Sequence, residues 1–172
     1  MNSYLDNARN KILDLDRLQD VLEGWRAEGK KIAFTNGCFD ILHLGHLTYL
    51  MQAAQLGDKL IVGLNSDESV RLQQKSLERP VQDQNSRALI LAALEFTDAI
   101  VVFESETPLS LIELIKPDVL VKGADYDPSQ TDESQKSYIV GSKEVRANGG
   151  EVQVIPLLDG FSTTSIINRL KK

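Results

Sequence analysis

The chain has 172 residues, with 19 Lys and Arg against 25 Asp and Glu, for a formal net charge of −6. That length suits one domain with a sizeable core, and the acidic balance argues against a protein whose main work is to neutralise nucleic-acid or membrane phosphates. The single cysteine, Cys38, excludes an internal disulfide framework and a zinc site built from several thiolates.

In chain order, the N-terminal stretch carries no apolar leader, and no apolar run reaches the length of a bilayer span, so a soluble cytoplasmic protein is expected. Leu18, Val21, Leu22 and Trp25 recur at i, i+3, i+4 and i+7, which predicts an amphipathic helix from Asp16 to about Glu28. It is expected to pack as an N-terminal cover, within residues 1–30 of a single domain spanning 1–172. Residues 31–35 read as a short strand, followed by a glycine-bearing turn and a helical pattern in Leu47, Leu50, Met51 and Ala54. Further strands are predicted at 59–64, 99–103, 119–121 and 151–155, with helical segments around 67–72, 84–94, 108–115 and 137–147.

The runs LIVGL, AIVVF and DVLV are nearly all apolar, the pattern of strands covered by helices on both faces. The expected fold is therefore α/β, a doubly wound, Rossmann-like parallel sheet of about five strands. In such sheets ligands bind beyond the C-terminal strand ends, at a topological switch point. That directs attention to residues 36–46, 65–67, 122–126 and 160–164. The polar stretches 73–82 and 124–136 read as mobile loops over the crevice. Neither a Walker P-loop nor a Gly-x-Gly-x-x-Gly fingerprint is present, which lowers kinase and dehydrogenase readings.

Both histidines of the chain fall in His43-Leu44-Gly45-His46, where the first strand's loop meets the following helix. A helix N-terminus offers unpaired N–H groups and the positive end of the macrodipole to a phosphate. Imidazoles add donors whose protonation is available near neutral pH, and Gly45 lets a phosphate approach the backbone closely. The plainer alternative is a polar cap and a surface residue. Two imidazoles without a third ligand make a poor zinc sphere, so no metal ligand is assigned.

Asn36-Gly37-Cys38-Phe39-Asp40 followed by His43-Leu44-Gly45-His46 resembles the signature of the HxGH nucleotidyltransferase superfamily of cytidylyltransferases and adenylyltransferases. The similarity continues through Arg79-Pro80-Val81, Arg87, residues 120–126, 141–145, 148–152 and Ser162-Thr163-Thr164. In that order these segments resemble the D-glycero-β-D-manno-heptose 1-phosphate adenylyltransferases, the adenylyltransferase half of the bifunctional heptose enzyme of bacterial lipopolysaccharide synthesis. No sugar-kinase domain precedes the match here, so the free-standing form is expected.

The resemblance implies transfer of AMP from ATP to the sugar 1-phosphate by direct in-line attack, giving ADP-heptose and pyrophosphate. It also implies Mg²⁺ carried by the nucleotide, and a homodimer. His43 and His46 would stabilise charge on the phosphates. Nucleotide contacts are assigned to Asn36, Gly37, Cys38, Phe39, Gly45, Arg87, Lys122, Gly123, Asp125, Ser162, Thr163 and Thr164. Asp40, Asn65 and Asp67 are assigned to the acceptor.

Several of these residues have plainer readings. Asp40 could orient its loop or cap a helix instead. Lys122 and Asp125 could form a solvated turn with Gly123. Arg87 could be a phosphate fork or an ordinary surface arginine. Ser162 to Thr164 stand where a helix cap is needed and could serve both purposes. Cys38 lies at a variable position of Gly-x-Phe-Asp, so a packing role is expected.

One departure concerns a phosphate-binding lysine. The family shows Arg-Leu-Lys-Gly before Arg-Pro, whereas this chain reads Arg71-Leu72-Gln73-Gln74-Lys75-Ser76. Either Lys75 supplies that lysine from a shifted position or the role is vacant. Two competing functions remain at this point: a cytidylyltransferase acting on glycerol 3-phosphate or a similar alcohol phosphate, and a non-catalytic nucleotide sensor on the same fold.

Overall fold

Alternate residues of each central strand point into two different cores, and this decides the architecture. Ala33, Leu60, Val62, Leu64, Ile100, Val119 and Val121 share one apolar cluster, whereas Phe34, Ile61, Ala99, Val101 and Leu120 belong to the other. Because both faces are covered, the strands read as unbroken apolar runs rather than alternating ones.

The computed structural model describes residues 3–73 and 79–170. Six strands, β1 (Ile12–Leu13), β2 (Ile32–Gly37), β3 (Lys59–Asn65), β4 (Ala99–Phe103), β5 (Val119–Gly123) and β6 (Glu151–Ile155), form one sheet in the order β1-β4-β3-β2-β5-β6. Every pairing is parallel. The strand beyond the expected five or so is β1, in which Ile12 and Leu13 pair with Ile100 and Val101. Two residues are too few to show a period.

The helices are α1 (Tyr4–Asn10), α2 (Leu15–Ala27), α3 (Leu44–Ala54), α4 (Asp67–Leu72), α5 (Gln84–Ala92), α6 (Leu109–Ile115), α7 (Ser142–Ala147) and α8 (Thr163–Leu170). Ala8 of α1, Leu50 and Ala53 of α3, and Ala88, Leu91 and Ala92 of α5 line the first core. Leu18 and Leu22 of α2, Leu111, Ile112 and Ile115 of α6, and Val145 of α7 line the second. The predicted N-terminal helix is thus more than a cover, because Leu18 and Leu22 are fully enclosed. Helix α1 was not anticipated; it is held by a capping box in which Ser3 Oγ accepts from the Asp6 amide and Asp6 accepts from the Ser3 amide. Helix α7 starts at Ser142, five residues later than expected from 137, after Gly141 turns the chain at φ +85°.

From β2 the chain turns one way to β3 and later returns on the other side as β5, so the switch point lies between β2 and β5. Strand β2 pairs with β3 from Ile32↔Lys59 to Gly37↔Leu64, but with β5 only at Ala33↔Val119, Phe34↔Leu120 and Thr35↔Val121. Beyond Thr35 the two strands separate. At that fork the buried Tyr49 hydroxyl of α3 lies 2.7 Å from Thr35 Oγ1 and donates to the Val121 carbonyl at 3.1 Å. Burial raises the Tyr49 pKa, so the phenol stays a neutral donor.

Candidate active site

A crevice of about 730 Å³ opens above this fork. Its walls come from the loop after β2, the N-terminus of α3, the ends of β3 and β5, and the segment from β6 into α8. This is the location that a doubly wound sheet prescribes.

Of the residues assigned from the sequence, Asn36, Gly37, Cys38, Phe39, His43, Gly45, His46, Asn65, Lys122, Gly123, Asp125, Ser162, Thr163 and Thr164 border the crevice. Asp40, Asp67 and Arg87 do not. Lys75 lies outside the described residues. The sequence reading did not assign site roles to Tyr49, Gln73, Arg79, Tyr126, Leu157, Leu158 and Phe161, which also line it. Arg79 and Tyr126 stood within quoted motifs, and that was their available signal. Leu157 and Phe161 carried none, since an apolar residue in a loop reads the same whether it covers a ligand or the core.

The imidazole pair is built by the start of α3. His43 is its N-cap, with Nδ1 accepting the His46 backbone N–H at 3.3 Å. That bond places the proton of the neutral ring on Nε2. The His46 ring stacks on it, with centroids 3.8 Å apart and planes 18° from parallel, while Phe39 meets His46 edge-on at 5.3 Å. Phe39 is held at φ +43°, a left-handed conformation that a bulky residue adopts only when its surroundings impose it.

Burial, the neighbouring His43 and then Arg79 depress the His46 pKa from 6.5 to about 4, although the nearby Ile41 backbone opposes this. Burial also lowers that of His43. Both rings are therefore neutral at pH 7. His46 Nδ1 is buried and has no hydrogen-bond partner among the described residues, so a ring nitrogen has been desolvated without compensation.

This arrangement has a measurable consequence for stability. Between pH 6.5 and about 4 the unfolded chain binds a proton at His46 that the folded chain refuses. The contribution of the neutral ring is complete above pH 6.5 and is lost as pH falls through that window, on the order of 3 kcal/mol in all. Denaturant titrations of wild type and His46→Gln at pH 7 and 4.5 should show a smaller acid loss in the variant. Equal acid losses would contradict the buried neutral ring.

Gly45 is favoured by close approach. A Cβ there would stand 3.1 Å from the His43 ring and 3.1 Å from Phe161 Cβ, and one at Gly123 would stand 3.1 Å from Leu157 Cδ2. The segment between β6 and α8 thus folds back onto two glycines. Ser162 then caps α8 by accepting the Ser165 amide at 3.0 Å, which fulfils the expected cap.

Across the crevice, Lys122 Nζ is hydrogen-bonded to Asn36 Oδ1 and lies 5.4 Å from the centre of the Tyr126 ring. Lys122 is largely buried rather than part of a solvated turn. The expected loop at 73–82 falls partly outside the described residues, and in 124–136 Asp125 and Tyr126 reach the crevice.

Three assignments are corrected by the geometry. Arg87 is neither a surface arginine nor a phosphate fork facing the crevice: it is 1 % exposed. Its Nη1 donates to the carbonyls of Cys38 at 2.7 Å and Asn65 at 2.8 Å, its Nε to Gln82 at 3.0 Å, and its Nη2 to Asp67 Oδ1 at 2.6 Å. Asp67 is consequently paired with Arg87, and it does not border the crevice. Asp40, fully buried, accepts from Arg79 Nε at 3.0 Å and from the amides of Val81 at 2.8 Å and Gln82 at 3.0 Å. Of its three sequence readings, the orienting one is observed.

Cys38 Sγ donates only a weak 3.5 Å contact to Gln73 Oε1, and the proposed chemistry below needs no thiol. Cys38→Ser should therefore keep its turnover within a few-fold. Substrate-protectable alkylation together with a dead, folded Ser variant would contradict this.

Residues 34–169 match the cytidylyltransferase-like family, and the chain belongs to it. Among curated relatives, the bifunctional protein HldE of Campylobacter fetus subsp. fetus is 51 % identical over 171 residues, which is 99 % of this chain and 34 % of that protein. HldE of Geobacter metallireducens is 49 % identical over 160 residues, 93 % of this chain and 31 % of that protein. The chain thus spans about a third of the length of these relatives.

Among solved structures, the lipopolysaccharide core biosynthesis protein from Thermoplasma volcanium GSS1 superposes with a TM-score of 0.56 at 26 % identity, covering 75 % of this chain and 97 % of that one. Pantoate-beta-alanine ligase from Francisella tularensis, complexed with beta-gamma ATP and beta-alanine, gives 0.57 at 15 % identity over 93 % of this chain and 76 % of that one; the likeness is one of fold. No helix among the described residues is long and apolar enough to cross a membrane.

Proposed function

We propose that the chain is an adenylyltransferase that moves AMP from ATP to D-glycero-β-D-manno-heptose 1-phosphate, giving ADP-heptose and pyrophosphate. The observation that carries the reading is the stacked His43–His46 pair at the N-terminus of α3, with a buried ring nitrogen lacking a partner. Such a site gains most from a phosphate oxygen, which would accept from the rings and favour their protonated forms. The sugar-phosphate choice is supported by the ordered motifs and by about 50 % identity to the HldE proteins.

In this mechanism an acceptor phosphate oxygen attacks the α-phosphorus, a P–O bond forms, and the bond to pyrophosphate breaks in line. The protein contributes positioning and charge stabilisation. His43 and His46 donate to the phosphates, the capped start of α8 with Thr163 and Thr164 holds the triphosphate, and Lys122 offsets negative charge at the β5 end. Mg²⁺ enters with ATP as part of the substrate complex, bound chiefly by phosphate oxygens. A cytoplasmic setting and a homodimer belong to the same proposal, the latter open to light scattering.

The test is pyrophosphate release with ATP and CTP against sugar and alcohol phosphates, with products identified by mass. Preference for ATP with the heptose phosphate is expected, and glycerol 3-phosphate should be poor because it leaves polar groups of a sugar site unpaired. Preference for CTP or glycerol 3-phosphate would overturn the substrate pair. ATP binding without pyrophosphate release from any acceptor would overturn the enzyme.

A further inference from the structure

Arg79 stands in the crevice with its guanidinium aimed by a buried carboxylate, and no role assigned so far uses it. Among the described residues, the lining side chains with a permanent positive charge are Arg79 and Lys122. Lys122 is engaged on the β5 side with Asn36 and Tyr126. Arg79 instead enters beside Asp40 of the loop after β2, near His46.

Its side chain is 13 % exposed, and its contact to Asp40 uses Nε. Nη1 and Nη2 make no hydrogen bond among the described residues. Asp40 is itself fixed by the amides of Val81 and Gln82, on the two residues after Pro80, so the carboxylate sets both the path of this segment and the direction of the guanidinium. The positive charge is close enough to His46 to disfavour protonation of that ring.

A planar fork anchored through Nε and presenting its other donors is suited to two oxygens of one phosphate. In-line displacement needs the attacking and leaving oxygens on opposite sides of the α-phosphorus. With the nucleotide served by Lys122 and the start of α8, the Arg79 side of the crevice is left for the attacking group.

We propose that Arg79 binds the phosphate of the acceptor, with Asp40 as its positioning residue. The identity of that acceptor rests on the reaction proposed above. The experiment measures binding rather than turnover: calorimetry of α,β-methylene-ATP, then of D-glycero-β-D-manno-heptose 1-phosphate on the analogue complex, in wild type, Arg79→Gln and Arg79→Lys. Arg79→Gln should weaken acceptor binding about 10- to 100-fold, the range for losing charge-assisted hydrogen bonds, and leave the nucleotide constant within about twofold. Arg79→Lys keeps the charge beside Asp40 but loses the fork, so it should recover only part of the loss. It also serves if thermal melting shows that the Gln variant does not fold.

Equal weakening of both ligands, or of the nucleotide alone, would overturn the assignment in favour of a triphosphate contact. Unchanged binding of both would leave Arg79 as a support for its loop and overturn it as well. Wild type that binds the acceptor without releasing pyrophosphate from ATP would sink the reaction and leave the Arg79 site standing. Wild type that binds no heptose phosphate would sink the Arg79 assignment itself.

Discussion

His46→Ala should lower the rate of pyrophosphate release by about 10²-fold or more, the typical cost of one preorganised donor to a developing charge. The choice of His46 over His43 follows from their different structural duties. His43 caps α3 through Nδ1, so its removal also costs about 1 kcal/mol of helix stability and mixes two effects. His46 gives its side chain to no cap, and its Nδ1 lacks a partner. The fold should therefore survive at pH 7, as judged by circular dichroism and a cooperative melt. A folded His46→Ala protein with near-normal kcat would remove these rings from the mechanism.

The largest stability effect is expected at Arg87. Truncation to alanine strands the Asp67 carboxylate and leaves the carbonyls of Cys38, Asn65 and Gln82 without this donor. Breaking a buried ion pair by removing one partner costs roughly 3–5 kcal/mol, which for a chain of this size lowers Tm by roughly 10 °C. Arg87→Lys should recover little, because an ammonium cannot span the separate acceptors that the planar fork reaches. Since Cys38 and Asn65 border the crevice, whatever folded protein remains should also bind nucleotide poorly. A Tm within about 2 °C of wild type would show that water replaces this hub without cost.

The same residue marks the limit of what a single sequence discloses. The α/β alternation was legible because helical period and apolar strand runs are local properties, and β4 and β6 end where the pattern places them. His43 and His46 were legible because they share a short motif whose meaning depends on one helix start. Arg87 and Asp40 were not, since apart from Gln82 the partners of Arg87 lie 20 to 49 residues away and those of Asp40 lie 39 to 42 away. A charge beside a motif then reads as a ligand contact, although here it secures the loops that carry the contacts. The strand β1 was missed for another reason: Ile12 and Leu13 are recruited by the edge of β4, a tertiary preference that two residues do not express by themselves.

The pairing of β2 with β5 has a mechanical meaning. On one side β2 is joined to β3 along its whole length, and on the other it is fastened to β5 by Ala33, Phe34 and Thr35 alone, with the Tyr49 hydroxyl as a rivet where the ladder stops. The crevice begins at that last rung, which makes it an unfinished seam in the sheet. A molecule lodged there and touching both Asn36 and Lys122 would act as extra stitching across the seam. Amide exchange should register this, with β2 and β5 amides near the fork slowing when ATP is present while those between β2 and β3 stay as they were.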